Sequence, residues 1–220
     1  MNLNKKSVLL LNLQYRMHPE ISQFPSEYFY DSQLYNGPNL LSTCSASWHG
    51  QTFGAYKFFD IKFGRENKTN RNSVQNIDEA IACAKLVKLL CMTDSTNFKN
   101  KIGIITFYRD QLRPLKKELF KYLDRDLANS IDVNTVDGFQ GQEKDVILLS
   151  CVRAGGTLGF ITDTRRMNVA LTRAKKTLII LGHAETLSKN KEWNALIQNS
   201  KRRKFYEVLN TKWLNSQLEK

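Results

Sequence analysis

Two arginines in a short basic stretch have the spacing and the chemistry of a phosphate site. Residues 164–176 read TRRMNVALTRAKK and contain five cations and no acid. A helix predicted over 165–174 turns by about 100° per residue, so Arg166 and Arg173 align along one flank of a buried apolar stripe. A guanidinium there loses hydration unless an anion meets it, and its planar fork fits phosphate oxygens. The pattern predicts a phosphate contact; an internal salt bridge to an Asp or Glu is the alternative.

A second polar stretch, residues 134–146 (NTVDGFQGQEKDV), joins the end of one predicted strand to the start of the next. Ligands of parallel α/β sheets bind at the carboxyl ends of strands, where glycines allow close backbone approach. The glycines of this loop are Gly138 and Gly141, and its polar side chains are Asp137, Gln140, Gln142 and Glu143. Such groups suit a ribose, a water or a nucleotide base. The alternative is a polar turn that only connects two strands.

The third stretch is QYRMHP at residues 14–19. Tyr15 offers a stacking face and Arg16 a phosphate fork. Pro19 marks the start of a helix. We interpret His18 as a local hydrogen bonder rather than a catalyst, because no acid or nucleophile stands beside it.

The elements that must position these stretches read as alternating strands and helices. The predicted strands are 7–13, 56–62, 102–107, 131–136, 146–152 and 177–181, and the predicted helices are 18–30, 76–91, 110–122 and 165–174. Asn76 followed by Glu79 predicts a capping box. Residues 36–51 read as loop and 64–72 as an exposed or disordered insertion. Continuous apolar strands between amphipathic helices predict an α/β fold with a parallel sheet covered on both faces.

Composition favours a polyanionic partner. The 220 residues carry 33 Lys and Arg against 21 Asp and Glu, a net charge of +12. Nucleic acid is therefore the first partner to consider and an anionic membrane surface the second. No apolar run reaches the roughly 18 residues of a membrane span, which predicts no membrane insertion. The four cysteines show no zinc spacing and read as reduced, mostly buried thiols, and the basic run 201–204 reads as a solvated helix end or a nucleic-acid contact.

Taken together, the three stretches resemble the second RecA-like domain of superfamily 1 helicases, in the group that includes the nonsense-mediated decay helicase and senataxin. The motifs QYRMHPEISQFPSEYFY, VNTVDGFQGQEKDVILLSCVRA and GFITDTRRMNVALTRAKKTLIILG follow one another in the order of that family. The continuation LGHAETLSKNKEWNALIQNSKRR is similar to the senataxin-like branch. The resemblance implies a RecA-like three-layer sandwich over residues 1–210, with a loop-rich insertion at 43–76 and a tail at 211–220.

In that family ATP lies between two RecA-like domains, and the resemblance assigns roles to this chain's residues. Arg173 matches the arginine finger at the γ-phosphate, and Arg16 matches a second γ-phosphate contact. Tyr15 matches the residue that packs on the adenine, and Glu143 matches one that contacts the nucleotide sugar or the coupling network. The resemblance also implies that Gln14, Gly141 and Arg166 belong to the nucleotide site, with Arg166 supporting the network, and that Thr135, Asp137 and Gln140 lie on the nucleic-acid side.

One half of the family's ATP site is missing from these residues. The sequence contains no G-x-x-x-x-G-K-[ST] and no Gly-Lys dipeptide, and the acidic magnesium motif is equally absent. The resemblance implies that the phosphate-binding loop and the Mg²⁺ ligands belong to an N-terminal RecA-like domain, so we expect no metal ligand here. We expect the chain to be a fragment of a longer helicase or a truncated gene product, and to show no ATP hydrolysis by itself.

The implied activity is ATP hydrolysis coupled to 5′ to 3′ movement along single-stranded RNA or DNA. The resemblance implies a nuclear protein, with the cytoplasm as a second location. The competing hypothesis is a non-catalytic module that binds nucleic acid and keeps a relic nucleotide cleft. A nuclease is disfavoured because no carboxylates stand at metal-ligand spacing.

Overall fold

The fold is α/β, built on a six-stranded parallel sheet. A computed structural model describes residues 11–50, 52–69 and 73–219. The strands are β1 (Leu13–Gln14), β2 (Tyr35–Asn36), β3 (Tyr56–Asp60), β4 (Glu66–Lys68), β5 (Val74–Asn76), β6 (Ile102–Thr106), β7 (Asp132–Thr135), β8 (Lys144–Ser150), β9 (Ala174–Gly182) and β10 (Tyr206–Val208). The helices are α1 (Pro19–Phe29), α2 (Leu40–Thr43), α3 (Ile77–Thr93), α4 (Leu112–Tyr122), α5 (Arg125–Ser130), α6 (Thr164–Leu171), α7 (Ala184–Leu187), α8 (Lys191–Arg202) and α9 (Thr211–Leu218).

The sheet order is β10-β3-β9-β8-β6-β7, and each neighbouring pair is parallel. Because side chains alternate across a strand, Ile104 and Leu148 join a core with α3, α4, α5 and α9. Ile105 and Leu149 face the other way and join a second core with α1, α6, α7 and α8. The predicted α/β fold is confirmed as this RecA-like three-layer arrangement. Within the part of the chain that the structure describes, no helix combines the length and apolarity needed to cross a membrane.

The basic helix ends earlier than predicted. Helix α6 stops at Leu171, and strand β9 begins at Ala174, so the prediction of a helix through residue 174 is wrong. The Thr172 hydroxyl donates to the carbonyls of Asn168 and Val169, and this satisfies acceptors that the last turn leaves open. Arg173 therefore lies beyond the helix and does not share a helix flank with Arg166.

The capping box is confirmed only in its first half. The Asn76 side chain accepts a hydrogen bond from the backbone N–H of Glu79, as an N-cap does. The Glu79 carboxylate does not return to Asn76, whose N–H donates to Gln111. Glu79 instead turns into the core and accepts hydrogen bonds from Ser150 and Val152. A buried serine hydroxyl and a loop N–H compete successfully for that carboxylate.

Four segments differ from the loop and strand predictions. Residues 36–51 contain α2, and within 64–72 strand β4 pairs antiparallel with β5. The predicted strand 7–13 falls partly outside the described residues, and its end forms β1, which pairs with β2 rather than with the main sheet. The segment 43–76, expected to be loop-rich, also contains the strand predicted at 56–62, which forms β3 between β10 and β9. Helix α9, in the expected tail, places Leu214 in the core beside α3.

Candidate functional site

Two of the predicted arginines, Arg16 and Arg173, come together near the amino-terminal ends of β8 and β9. Lys144 and Ala174 are register partners in β8 and β9. The residues just before them, Glu143 and Arg173, therefore lie side by side where the two strands begin. The Lys144 N–H donates to the Arg173 carbonyl at 3.1 Å. The third stretch joins through the His18 N–H, which donates to the Lys175 carbonyl at 2.8 Å. Sequence segments far apart in the chain thus meet at one edge of the sheet.

The prediction of a site at the carboxyl ends of the strands is wrong for these residues. Strands β7 and β8 are both parallel to β6. A connection that leaves the carboxyl end of β7 must therefore return to the amino end of β8. Glu143 lies at the end of that return, directly before Lys144, the first residue of β8.

Glu143 holds two cations in the site. The Arg16 Nε donates to Glu143 Oε2, and the Lys175 Nζ lies 3.0 Å from Glu143 Oε1. Partial burial alone would raise the pKa of the Glu143 carboxyl, but the Lys175 hydrogen bond and the Arg16 charge outweigh it and lower that pKa. The Arg16 and Glu143 side chains are 37% and 35% exposed. Ion pairs this open to solvent are worth at most about 1 kcal/mol, so a ligand can open this one.

Arg173 is held without a carboxylate partner. Its Nε donates to the Val169 carbonyl at 2.9 Å and its Nη2 to the Thr172 hydroxyl at 3.1 Å. Among the described residues it forms no ion pair. Partial burial, with the nearby charge of Arg16, lowers the pKa of the Arg173 guanidinium. A half-buried cation anchored through neutral oxygens keeps its charge available for an anion.

Tyr15 stands at the mouth of the site on a glycine. Its side chain is 66% exposed, and its ring lies over Gly37. A Cβ added at Gly37 would stand 2.2 Å from a ring carbon of Tyr15, so only glycine leaves room for the ring in this position. An exposed ring seated on bare backbone is a ready surface for an aromatic ligand.

Gln14 is buried directly behind this ring. Its Oε1 accepts hydrogen bonds from the N–H groups of Arg16 and Met17. Its Nε2 donates to the Met17 carbonyl and to the Asn36 side chain. The amide therefore shapes the turn that presents Tyr15 and Arg16.

Four of these residues, Tyr15, Arg16, Glu143 and Lys175, line an open cleft of about 510 Å³, and Arg173 lies beside it without being one of its lining residues. Its lining residues are Tyr15, Arg16, Thr43, Cys44, Glu143, Lys175 and Lys176. Three cations against one carboxylate, with an aromatic ring at the rim, suit a ligand with an aromatic base and a negative charge. Within the described part of the chain, no cluster of three or more metal-binding side chains occurs.

The remaining predicted residues lie outside this cleft. Arg166 binds Asp137 through two hydrogen bonds of 3.0 and 2.8 Å, so the salt-bridge alternative holds for Arg166. The Thr135 hydroxyl accepts from the Gly138 N–H at 3.2 Å and shapes the same turn. Gln140 and Gly141 are exposed, and Gly141 has φ of +81°, a left-handed conformation that favours glycine.

Thr172, Lys175 and Gly37 were not predicted as site residues. The Thr172 carbonyl accepts from Arg16 Nη1 at 3.1 Å, and its hydroxyl accepts from Arg173. Lys175 was noticed only as part of the basic stretch. A threonine at a helix end gives a weak signal, and Gly37 gives none until Tyr15 is placed over it.

Comparisons with known proteins identify the family of this chain. A protein-family model described as an AAA domain matches residues 1–185. Helicase SEN1 of Saccharomyces cerevisiae is 46% identical over 90% of this chain and 9% of its own length. Probable helicase senataxin of Homo sapiens is 40% identical over 91% of this chain and 7% of its own. ATP-dependent helicase NAM7 of Saccharomyces cerevisiae is 39% identical over 85% of this chain and 20% of its own length.

The chain therefore belongs to this AAA-domain family, among the superfamily 1B helicases of the senataxin-like and nonsense-mediated decay group. It spans a fifth or less of the length of these three relatives.

Proposed function

We propose that this chain is the second motor domain of an ATP-dependent helicase and supplies Arg173 and Arg16 to an ATP bound mainly by another RecA-like domain. The observation that carries this proposal is the anchoring of Arg173. It is half-buried, oriented by the Val169 carbonyl and the Thr172 hydroxyl, and unpaired with any carboxylate among the described residues. Burying a cation without an anion is costly, so the arrangement favours a ligand anion that completes it.

Each side chain of the site then has a distinct part. Arg173 stabilises the charge that develops on the transferred phosphoryl group, and Arg16 exchanges its bond to Glu143 for a γ-phosphate oxygen. Glu143, released by Arg16, is free to accept a hydrogen bond from the ribose. Tyr15 packs on the adenine. The phosphate-binding loop and the Mg²⁺ ligands belong to the partner domain, which implies that this chain alone does not hydrolyse ATP.

The proposed polymer partner is single-stranded RNA or DNA, followed in the 5′ to 3′ direction. The net charge of +12 supports a polyanion, and relatives named as helicases support a nucleic acid. Thr135, Asp137 and Gln140 are proposed to link the strand to the nucleotide site. The nucleus is the proposed location. Binding that depends on Lys and Arg contacts weakens steeply as salt rises.

The direct test joins this chain to a first motor domain. We suggest replacing the matching 204-residue region of helicase SEN1 with this chain and measuring RNA-stimulated ATP hydrolysis. The chimera is expected to hydrolyse ATP, and Arg173→Ala is expected to lower the rate of hydrolysis by about 10³- to 10⁵-fold.

Arg113→Ala is the matched control, because Arg113 is an exposed arginine on α4, away from the cleft. Its rate is expected to equal that of the unmodified chimera. An active chimera in which Arg173→Ala and Arg113→Ala behave alike would rule out the assigned role of Arg173.

A further inference from the structure

We infer that Phe160 is a base-stacking platform for single-stranded nucleic acid, at the edge of the sheet opposite the nucleotide cleft. This inference rests on the proposed function for its partner class. Phe160 is 63% exposed and lies in a 3₁₀ turn, Gly159–Thr162, that follows β8 and leads into α6. A single exposed phenylalanine is common at protein surfaces, so the fixed turn and the charges around Phe160 carry the inference.

The turn is rigid on both sides of the exposed ring. The Tyr108 hydroxyl donates to the Leu158 carbonyl at 2.6 Å. On the other side, the Trp193 indole N–H donates to the carbonyl of fully buried Ile161 at 2.8 Å. Gly159, with φ of +59°, makes the sharp bend between these anchors. Phe160 is therefore presented by a fixed backbone. Stacking of a base on the ring costs the protein little conformational entropy.

The ring stands between two open cavities of about 530 and 430 Å³. Four cations line these cavities, namely Lys68, Arg153, Arg165 and Arg166, against two acids, Glu66 and Asp163. Among the described residues, Lys68 and Arg165 form no ion pair. The surplus positive charge suits phosphates on either side of a stacked base.

Buried Arg153 holds one of these four charges in a fixed place. It is 6% exposed, lies over the Tyr108 ring at 5.7 Å, and lines the 430 Å³ cavity. Its Nε stands 3.3 Å from a Glu66 oxygen but has no hydrogen-bond partner among the described residues. A buried guanidinium with an unused N–H is a built polar group at this cavity, beside the aromatic ring.

The placement also connects the two ligand sites. Strand β8, seven residues and about 23 Å long, begins directly after Glu143 and leads through residues 151–158 to the Phe160 turn. Helix α6, eight residues and about 12 Å long, runs back from the Phe160 turn toward Thr172 and Arg173. A nucleic-acid strand bound at Phe160 would thus lie next to the start of α6, the helix that leads to Thr172 and Arg173.

The test compares two strands of equal length and charge, an oligouridylate and an abasic ribose-phosphate strand. Fluorescence anisotropy at low salt measures their affinities for the chain. Phe160→Ala is expected to weaken oligouridylate binding by about 5- to 150-fold, the range that base-aromatic stacking supplies, and to leave abasic binding unchanged. Phe160→Trp keeps an aromatic face and is expected to retain the affinity.

Two further variants separate stacking from charge. Phe120→Ala removes another exposed phenylalanine, on α4, and is expected to change neither affinity. Arg165→Ala is expected to weaken both strands and to reduce the salt slope of log K by about 0.7, since one phosphate contact is lost.

Equal loss for both strands with Phe160→Ala would overturn stacking, and no loss for either would assign the exposed ring to a different kind of contact. If the unmodified chain binds neither strand, the proposed nucleic-acid partner fails as well. If it binds both and only the Phe160 prediction fails, the proposed function stands.

Discussion

Arg16 and Arg173 are held by the carbonyl and the hydroxyl of the same residue. Arg16 Nη1 donates to the Thr172 carbonyl and Arg173 Nη2 to the Thr172 hydroxyl, each at 3.1 Å. Two like charges brought to one residue repel each other, and burial together with the Arg16 charge lowers the pKa of Arg173. A triphosphate placed between them would relieve this repulsion, which is why the pair is the centre of the proposed nucleotide site.

Glu143→Gln is predicted to act unequally on two ligands. The carboxylate competes with phosphate for Arg16 and Lys175, so its neutralisation is expected to tighten tripolyphosphate binding to this chain by about 5-fold, or about 1 kcal/mol. ATP binding in the SEN1 chimera is expected to gain less than tripolyphosphate binding, because the amide oxygen of Gln is a weaker acceptor for the sugar than a carboxylate. Isothermal titration measures both. Weaker tripolyphosphate binding would show that Glu143 supports the phosphate site instead of competing for it.

Gly37→Ala is predicted to weaken ATP binding through Tyr15. The added methyl group would overlap the Tyr15 ring and displace it from its seat. Loss of an aromatic contact of about 0.5–1.5 kcal/mol is expected to raise the KM for ATP by about 2- to 10-fold in the chimera. The value of kcat is expected to hold, because the base binds equally in ground and transition states.

Gly54→Ala is the control for this substitution, since its added methyl group meets only the Tyr56 carbonyl, at 4.0 Å. A fall in kcat for Gly37→Ala with KM unchanged would assign the glycine to the chemical step.

Glu79 is predicted to make stability depend on pH. Its carboxyl is fully buried, and burial raises its pKa from 4.5 to about 7, although hydrogen bonds from Ser150 and Val152 oppose the rise. Because the folded-state pKa is the higher one, the stabilisation is complete below pH 4.5 and is lost as pH rises through about 7. At about 1.4 kcal/mol per pKa unit, the loss is about 3 kcal/mol.

Glu79→Gln keeps an acceptor oxygen but cannot ionise. Urea unfolding at pH 5 and pH 8 is expected to show the variant gaining about 3 kcal/mol relative to the unmodified chain between the two values. Glu185→Gln, at an exposed position, controls for removal of a charge. A pH-independent difference between Glu79→Gln and the unmodified chain would mean that Glu79 is not held neutral in the core.

The sequence predicted the layered architecture better than it predicted where individual helices end. Apolar strands such as β6 and β8 repeat so clearly that the sheet and its two covered faces follow from them. The end of α6 did not follow, because Ala170 to Ala174 continues a helical pattern while Thr172 and Arg173 satisfy the last carbonyls with their side chains. Local hydrogen bonds of this kind leave almost no trace in periodicity.

The same limit applies to the site. Arg16, Glu143 and Arg173 were found from residue type and family resemblance, and their meeting depends on register between β8 and β9. The sequence did not decide whether Arg166 binds a phosphate or a carboxylate, because only the fold brings Asp137 to it. Gly37 and Thr172 act through backbone atoms or close packing, so their residue types alone could not reveal them.

The measurement that tests the central claim most directly is binding of a transition-state analogue, ADP with aluminium fluoride, to the SEN1 chimera. The account predicts that the unmodified chimera binds the analogue much more tightly than ADP, and that Arg173→Ala removes most of this preference while ADP affinity stays the same. If Arg173→Ala binds the analogue as tightly as the unmodified chimera does, Arg173 does not stabilise the transferred phosphoryl group, and the central claim is wrong.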